Sequence, residues 1–266
     1  MESPGTVSRI LWHFTGGPKW DREKDILVPK TLEEAFAGLK AILESKVLKI
    51  SNYTEPLIIS APGDIYINKE TGKRFHDEDE VYTVGTSPIC CLSDIPLQHL
   101  PYHAKRYGKC AIGFYRESAI RHGFNPVLYT LRNSAMLNAV FDGLSQISYS
   151  NLQDRFGFIY DFKDEEPESN LEDYIDDLYH NVDSALQDIL DSTVKISSFI
   201  KAFRTDEFNT VYSEREWRAL SPFYFNEKDI AFIIVPKQKG CYKELCRSGN
   251  LWGKIPVLPW EDLLEY

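Results

Sequence analysis

Residues 10–15, ILWHFT, alternate in a way that predicts a β-strand. Its pleat sends Ile10, Trp12 and Phe14 to one side and Leu11, His13 and Thr15 to the other, before Gly16-Gly17-Pro18 breaks the run. A 3.6-residue repeat follows in PKTLEEAFAGLKAILESKVLKIS, where Leu32, Ala35, Phe36, Leu39, Ile42 and Leu43 form one apolar stripe. Thr31 stands where it can cap that helix, and Glu34 completes a capping box. Residues 52–87 are polar and irregular, with a short strand at DIYIN and an acidic turn at FHDEDE. SPICCLSDIPL predicts a short apolar strand ended by Ser93, Asp94 and a proline. HAKRYGKCAIGFYRESAIRHG predicts a helical turn, a strand at 109–115 and a turn, and NPVLYTL a further strand.

From about residue 133 to residue 208 the pattern turns helical. In LEDYIDDLYHNVDSALQDILDSTVKISSFIKAF, Leu171, Ile175, Leu178, Val182, Leu186, Ile189 and Ile196 fall near helical spacing. The acidic run DFKDEEPESNLEDYIDD reads as a solvated loop and helix start. Strands resume at TVYSEREWRALSP and DIAFIIVP. Strands, then a helical block, then strands predict an α+β fold. Residues 1–266 form one domain in this reading, with 133–208 as a helical insertion.

Composition narrows the function. The chain of 266 residues is 43% hydrophobic and 13% aromatic, enough for a packed core. Its formal charge of −10 argues against a broad duplex nucleic-acid footprint, though it leaves room for a small basic groove. The five cysteines have neither metal spacing nor the even count of a disulfide framework. MESPGTVSRI has no basic stretch followed by an apolar core, and no apolar run reaches the roughly 20 residues of a membrane span. A cytoplasmic protein without a membrane segment is the expectation.

Familiar catalytic signatures are missing: no GxGxxG after a strand, no GxxxxGK[ST], no GxSxG. His99 and His103 are four residues apart, but Pro101 lies between them and no HExxH glutamate accompanies them, so no metal site is expected. The stretch YSEREWR stands out. The β-branched Thr210 and Val211 and the following Pro222 favour a strand, with Tyr212, Glu214, Glu216 and Arg218 on one face. Same-face neighbours are then about 7 Å apart, so two carboxylates could address different atoms of one ligand. The plainer alternatives are a solvated strand face here and a hydrogen-bonded core histidine at His13.

Taken together, WHFT before a helix, ICCLSDIP, HAKRYGKCAIGF, and YSEREWR followed by IAFIIVP resemble the AbiGi family of phage abortive-infection proteins, often labelled antitoxins. The resemblance spans most of the chain outside the helical insertion. The same order of elements also resembles a distant ADP-ribosyltransferase, which implies a split antiparallel β core and NAD as substrate. In that superfamily an early-strand histidine holds the adenosine ribose of NAD and a late-strand glutamate holds the nicotinamide ribose. The resemblance places His13 and Thr15 as the early ribose-binding pair. It makes Glu216 the catalytic glutamate and Glu214 the acid that orients an acceptor. Ser93 and Asp94 stand at the polar middle-strand position, Tyr107 is the candidate aromatic for the nicotinamide ring, and Arg218 joins the cofactor-binding set. The sequence departs from that superfamily in having no clear H-Y-E tyrosine or R-S-E serine motif. A carboxylate against the ribose suits the chemistry, because breaking the nicotinamide–ribose bond builds positive charge on the sugar. Two functions follow as expectations. One is an ADP-ribosyltransferase-like effector of phage defence acting on an unknown macromolecular acceptor. The other is a non-catalytic antitoxin that binds a partner protein, its cognate toxin; a metal-dependent nuclease lacks any carboxylate cluster to carry it.

Overall fold

In the computed structural model, which describes residues 8–17, 19–21, 26–28, 30–50, 54–61, 65–67, 74–76, 80–147, 184, 187–247 and 255–264, the stripe after Thr31 folds as a helix, α1 (Leu32–Ser45). Its start is the expected capping box: Glu34 N–H donates to Thr31 Oγ1 at 3.3 Å, and Thr31 N–H donates to Glu34 Oε2 at 2.8 Å. The helix ends at Lys46, which takes a left-handed conformation at φ 53°.

The buried side of α1 covers one face of a seven-stranded sheet. Its strands are β1 (Ile10–Phe14), β2 (Cys90–Ser93), β3 (Ala111–Tyr115), β4 (Asn125–Pro126), β5 (Glu216–Ala219), β6 (Ile230–Val235) and β7 (Val257–Pro259), in the spatial order β4-β5-β2-β1-β3-β6-β7. Neighbours are antiparallel except β6 and β7, which run parallel. Pro126 sits on the edge strand, where a missing N–H is tolerated.

The alternation of β1 decides what each face holds. Leu11, Leu92, Ile112 and Phe114 point to α1 and pack against Ala35, Phe36, Leu39 and Leu43. Trp12, Ala111 and Ile234 face the other way, against Ile95, Trp260 and Leu100 of α2 (Leu100–Tyr107). Trp12 is buried there with its indole N–H donating to Ile95 C=O at 2.9 Å. Gly113 lies opposite Trp12, and a Cβ at that position would come within 2.7 Å of the indole ring, so the sheet needs glycine. Two further helices complete this part of the chain, α3 (Arg116–Arg121) directly after β3 and, near the end, a helix at Cys241–Arg247.

The chain divides into two units, Met1–Tyr53 with Pro88–Val127 and Asn209–Tyr266, and Thr54–Ser87 with Leu128–Phe208. The sheet above belongs to the first. In the second, Leu57–Ala61 pairs antiparallel with Glu80–Val84, and Leu128–Leu131 pairs parallel with Ile200–Phe203. Helix α4 (Ala135–Ile147) supplies Leu137 to a small core with Leu57, Ile59 and Ile200.

The class is therefore α+β, as the pattern of strands and helices predicts. Four segments differ locally from the sequence reading. Leu57–Ala61 and Glu80–Val84 pair as strands within residues 52–87, which read as irregular apart from DIYIN, and Arg116–Arg121 is a helix where the sequence predicts a turn. Within 133–208, residues 135–147 and 187–197 are helical, but Ile200–Phe203 is a strand. The helix ends where Ser198 Oγ donates back to Val194 C=O at 2.8 Å, and the apolar Ile200 and Phe203 bury in sheet pairing instead. Leu171, Ile175, Leu178, Val182 and Leu186 lie outside the described residues. The strand read through YSEREWR begins only at Glu216: Phe208–Val211 is a helical turn, Tyr212–Glu214 a 3₁₀ turn, and Arg215 takes φ 42°. No helix among the described residues is long and apolar enough to cross a membrane.

Candidate functional site

Pairing of β5 with β2 sets Glu216 opposite Ser93 and Arg218 opposite Cys91. Facing partners share a side of the sheet, so these four side chains project together, on the side of Trp12, which also pairs with Ser93. Arg218 is 1% exposed, and its Nη2 donates to Glu216 Oε2 at 2.9 Å. Burial, and then the neighbouring Glu216 carboxylate, push the Cys91 thiol well up, so it stays protonated beside the ion pair.

The turn before β5 carries Glu214 back to α2. Its Oε1 accepts from Arg106 Nη1 at 2.8 Å and from the Tyr107 hydroxyl at 2.9 Å. The carboxylate is buried, whereas the Arg106 side chain is 53% exposed, so the arginine covers the acid from the solvent side. These bonds account for the break in the strand. Strand propensity at Thr210 and Val211 is worth about 1 kcal/mol or less per residue, while two hydrogen bonds to a buried carboxylate are worth more. The Tyr107 ring continues inward, stacked on His103 at 4.3 Å, and His103 tilts against Phe14 at 4.8 Å. Burial, and then the charge of Arg106, pull the His103 imidazole down to about 4.

Asp94 closes the end of β2. Its N–H donates to Arg215 C=O at 2.9 Å, and its carboxylate accepts from Arg116 Nη2 at 3.2 and 3.3 Å, with Arg215 Nη2 at 3.6 Å. Each acid expected to touch a ligand thus has a guanidinium against it: Arg116 and Arg215 for Asp94, Arg106 for Glu214, Arg218 for Glu216.

His13 and Thr15 sit elsewhere. One residue after Trp12, His13 points to the α1 side of the sheet, across from Glu216. Its Nδ1 lies 3.2 Å from Cys91 C=O. A carbonyl only accepts, so Nδ1 carries the proton there. Burial lowers the His13 pKa, the Cys91 carbonyl partly offsets this, and Lys30 lowers it further. Thr15 is buried and donates its hydroxyl to Ala35 C=O of α1 at 2.7 Å. Thr15 is therefore tied to α1, and His13 to the backbone of β2. Thr15→Val, which keeps the shape and removes that bond, should cost about 1 kcal/mol in urea denaturation.

Six of the eight expected site residues, Ser93, Asp94, Tyr107, Glu214, Glu216 and Arg218, thus lie in one region of the first unit, along β2, β5 and the end of α2. Sequence reasoning missed Arg106, Arg116, Arg215, Cys91 and His103. One signal was present: residues 105–116 hold Lys105, Arg106, Lys109 and Arg116 with no acid among them, in a chain of formal charge −10.

Residues 63–251 match the family model described as "Putative abortive phage resistance protein AbiGi, antitoxin". The match covers well over half of the chain, and the chain belongs to the AbiGi family. No curated protein and no solved structure matches it.

Proposed function

We propose that this protein is the antitoxin of an abortive-infection pair and acts without catalysis, in the cytoplasm, by binding its cognate toxin. The family description supports the antitoxin role. The observation that carries the non-catalytic reading is the internal neutralisation of the site: Glu216 is held by Arg218 and Glu214 by Arg106. A carboxylate that must stabilise positive charge on a ribose works best with its own charge uncompensated. Here the acids serve the fold: Glu216 pairs with Arg218 within β5, and Glu214 ties the turn to α2.

A second reading is that of an ADP-ribosyltransferase-like fold which takes NAD and modifies a macromolecular acceptor. The contact of Tyr107 with Glu214 favours it, because it brings the candidate nicotinamide aromatic to the candidate acceptor-orienting acid. In that reading the Glu214 and Glu216 side of the sheet binds NAD without His13.

One experiment tests both. The chain is co-expressed with its cognate toxin, as wild type and as Glu216→Gln, and growth, complex formation by gel filtration and NAD consumption are measured. The antitoxin reading expects wild type to restore growth, to form the complex and to consume no NAD. It expects any weaker rescue by the variant to follow a loss of stability, because Glu216→Gln takes the carboxylate away from the buried Arg218. Absence of a complex would overturn it, and NAD consumption that falls on the order of a hundredfold in a folded Glu216→Gln protein would overturn it in favour of the enzyme.

A further inference from the structure

Away from β2 and β5, Lys239, Gly240, Lys243, Glu244 and Arg247 line an open cavity of about 490 Å³ along the helix α5 (Cys241–Arg247). Sites that hold small ligands run from about 300 to 1,000 Å³, so there is room for a group the size of a nucleotide. Lys243 and Arg247 are four residues apart on α5, which puts their side chains on one helix face about 6 Å apart along its axis.

The charges around the cavity are sorted. Glu33 of α1 pairs with Lys239, and Glu244 Oε1 lies 2.8 Å from Lys40 Nζ. Lys243 and Arg247 are exposed, with no carboxylate in ion-pair distance among the described residues. Four cations and three carboxylates, Glu33, Glu44 and Glu244, thus meet on a chain of formal charge −10. The field of an acidic protein disfavours anions at long range, so an anion captured here must be held by close contact. A guanidinium fork beside an ammonium supplies such contact to phosphate oxygens, and the flat guanidinium can also stack on a base.

We propose that this cavity is a binding site for phosphate groups, carried by a nucleotide or by a single nucleic-acid strand. Lys243 and Arg247 hold the phosphate, while Lys239 and Lys40 stay paired with Glu33 and Glu244. The assignment is independent of toxin binding and of the acids on β2 and β5.

The full chain is titrated at low salt with ATP and, separately, with a fluorescein-labelled single-stranded oligonucleotide. Wild type is compared with Lys243→Glu/Arg247→Glu, with the milder Lys243→Gln/Arg247→Gln, and with a control of equal charge change, Lys195→Glu/Lys228→Glu. Melting temperatures establish that all four proteins are folded. At least one probe should bind wild type saturably, about tenfold or more weaker after charge reversal at 243 and 247, with an intermediate loss in the glutamine variant. The control should stay within about twofold, as expected for charges outside the cavity. Binding of ATP identifies a nucleotide, and binding of the oligonucleotide with steep salt dependence identifies a strand; either supports the site. No binding of either probe to wild type, or equal weakening by the control, would overturn it.

Discussion

Arg218→Met should destabilise the protein by about 3–5 kcal/mol, the largest effect expected of any single change at the site. Arg218 and Glu216 are 1% and 9% exposed and 2.9 Å apart, so each carries the other's charge out of water. Removing only the guanidinium leaves a buried carboxylate beside the protonated thiol of Cys91, whose own pKa is already pushed up by burial and by Glu216. Glu216→Gln/Arg218→Met removes both charges and should recover a substantial part of the loss, because burying two ions has its own desolvation cost. Urea denaturation followed by tryptophan fluorescence is the measurement. Trp12, Trp20, Trp217 and Trp260 belong to the unit that contains the pair, so the signal reports its unfolding. A loss below about 1 kcal/mol in the single variant, or a double variant no more stable than Arg218→Met, would show that the ion pair contributes little.

Those two residues also mark how far the sequence could be read. Glu216 and Arg218 are two apart on one short strand, and alternation alone places them on one face. The capping box of α1, the strand over residues 10–14 and the strand at β6 were legible for the same reason: each depends on residues within a few positions of one another. What failed depended on partners distant in sequence. Glu214 leaves the strand because Arg106 and Tyr107, more than 100 residues earlier, donate hydrogen bonds to it in a turn. The separation of His13 from Glu216 follows from the register of β1 on β2 and of β2 on β5. A shift of one residue in either pairing would bring them to the same face, and nothing in a single sequence fixes that register. Likewise Ile200–Phe203 is a strand because Leu128–Leu131 pairs with it, although its apolar spacing also fits the end of a helix. Local chemistry was legible; pairing was not.

The buried stack of Phe14, His103 and Tyr107 leads to the second large effect, a loss of stability in mild acid. In the folded protein the His103 imidazole titrates at about 4, below its ordinary 6.5, chiefly because it is buried and then because Arg106 is near. Between those two values the unfolded chain binds a proton that the folded chain does not. Stability therefore rises with pH across this window and is lost as pH falls from about 6.5 toward about 4. The full difference amounts to roughly 3 kcal/mol from this one ring. His13 adds to the loss in the same direction, since burial lowers its pKa as well. The groups that meet His103 are the Phe14 and Tyr107 rings and the Arg106 charge, with Glu214 reached through Tyr107. No acid in that set bonds the imidazole directly, and a proton placed there is repelled by Arg106. His103→Phe keeps a flat ring between Phe14 and Tyr107 but cannot take up a proton. It isolates the contribution of this one histidine. Urea denaturation at steps from neutral pH down to about pH 4.5 should show wild-type stability falling by roughly 2 kcal/mol, and His103→Phe retaining most of that difference. Equal decline in both proteins would assign the acid sensitivity to the carboxylate–arginine pairs instead. A flat wild-type profile would mean that His103 takes up its proton in the folded state at an ordinary pH.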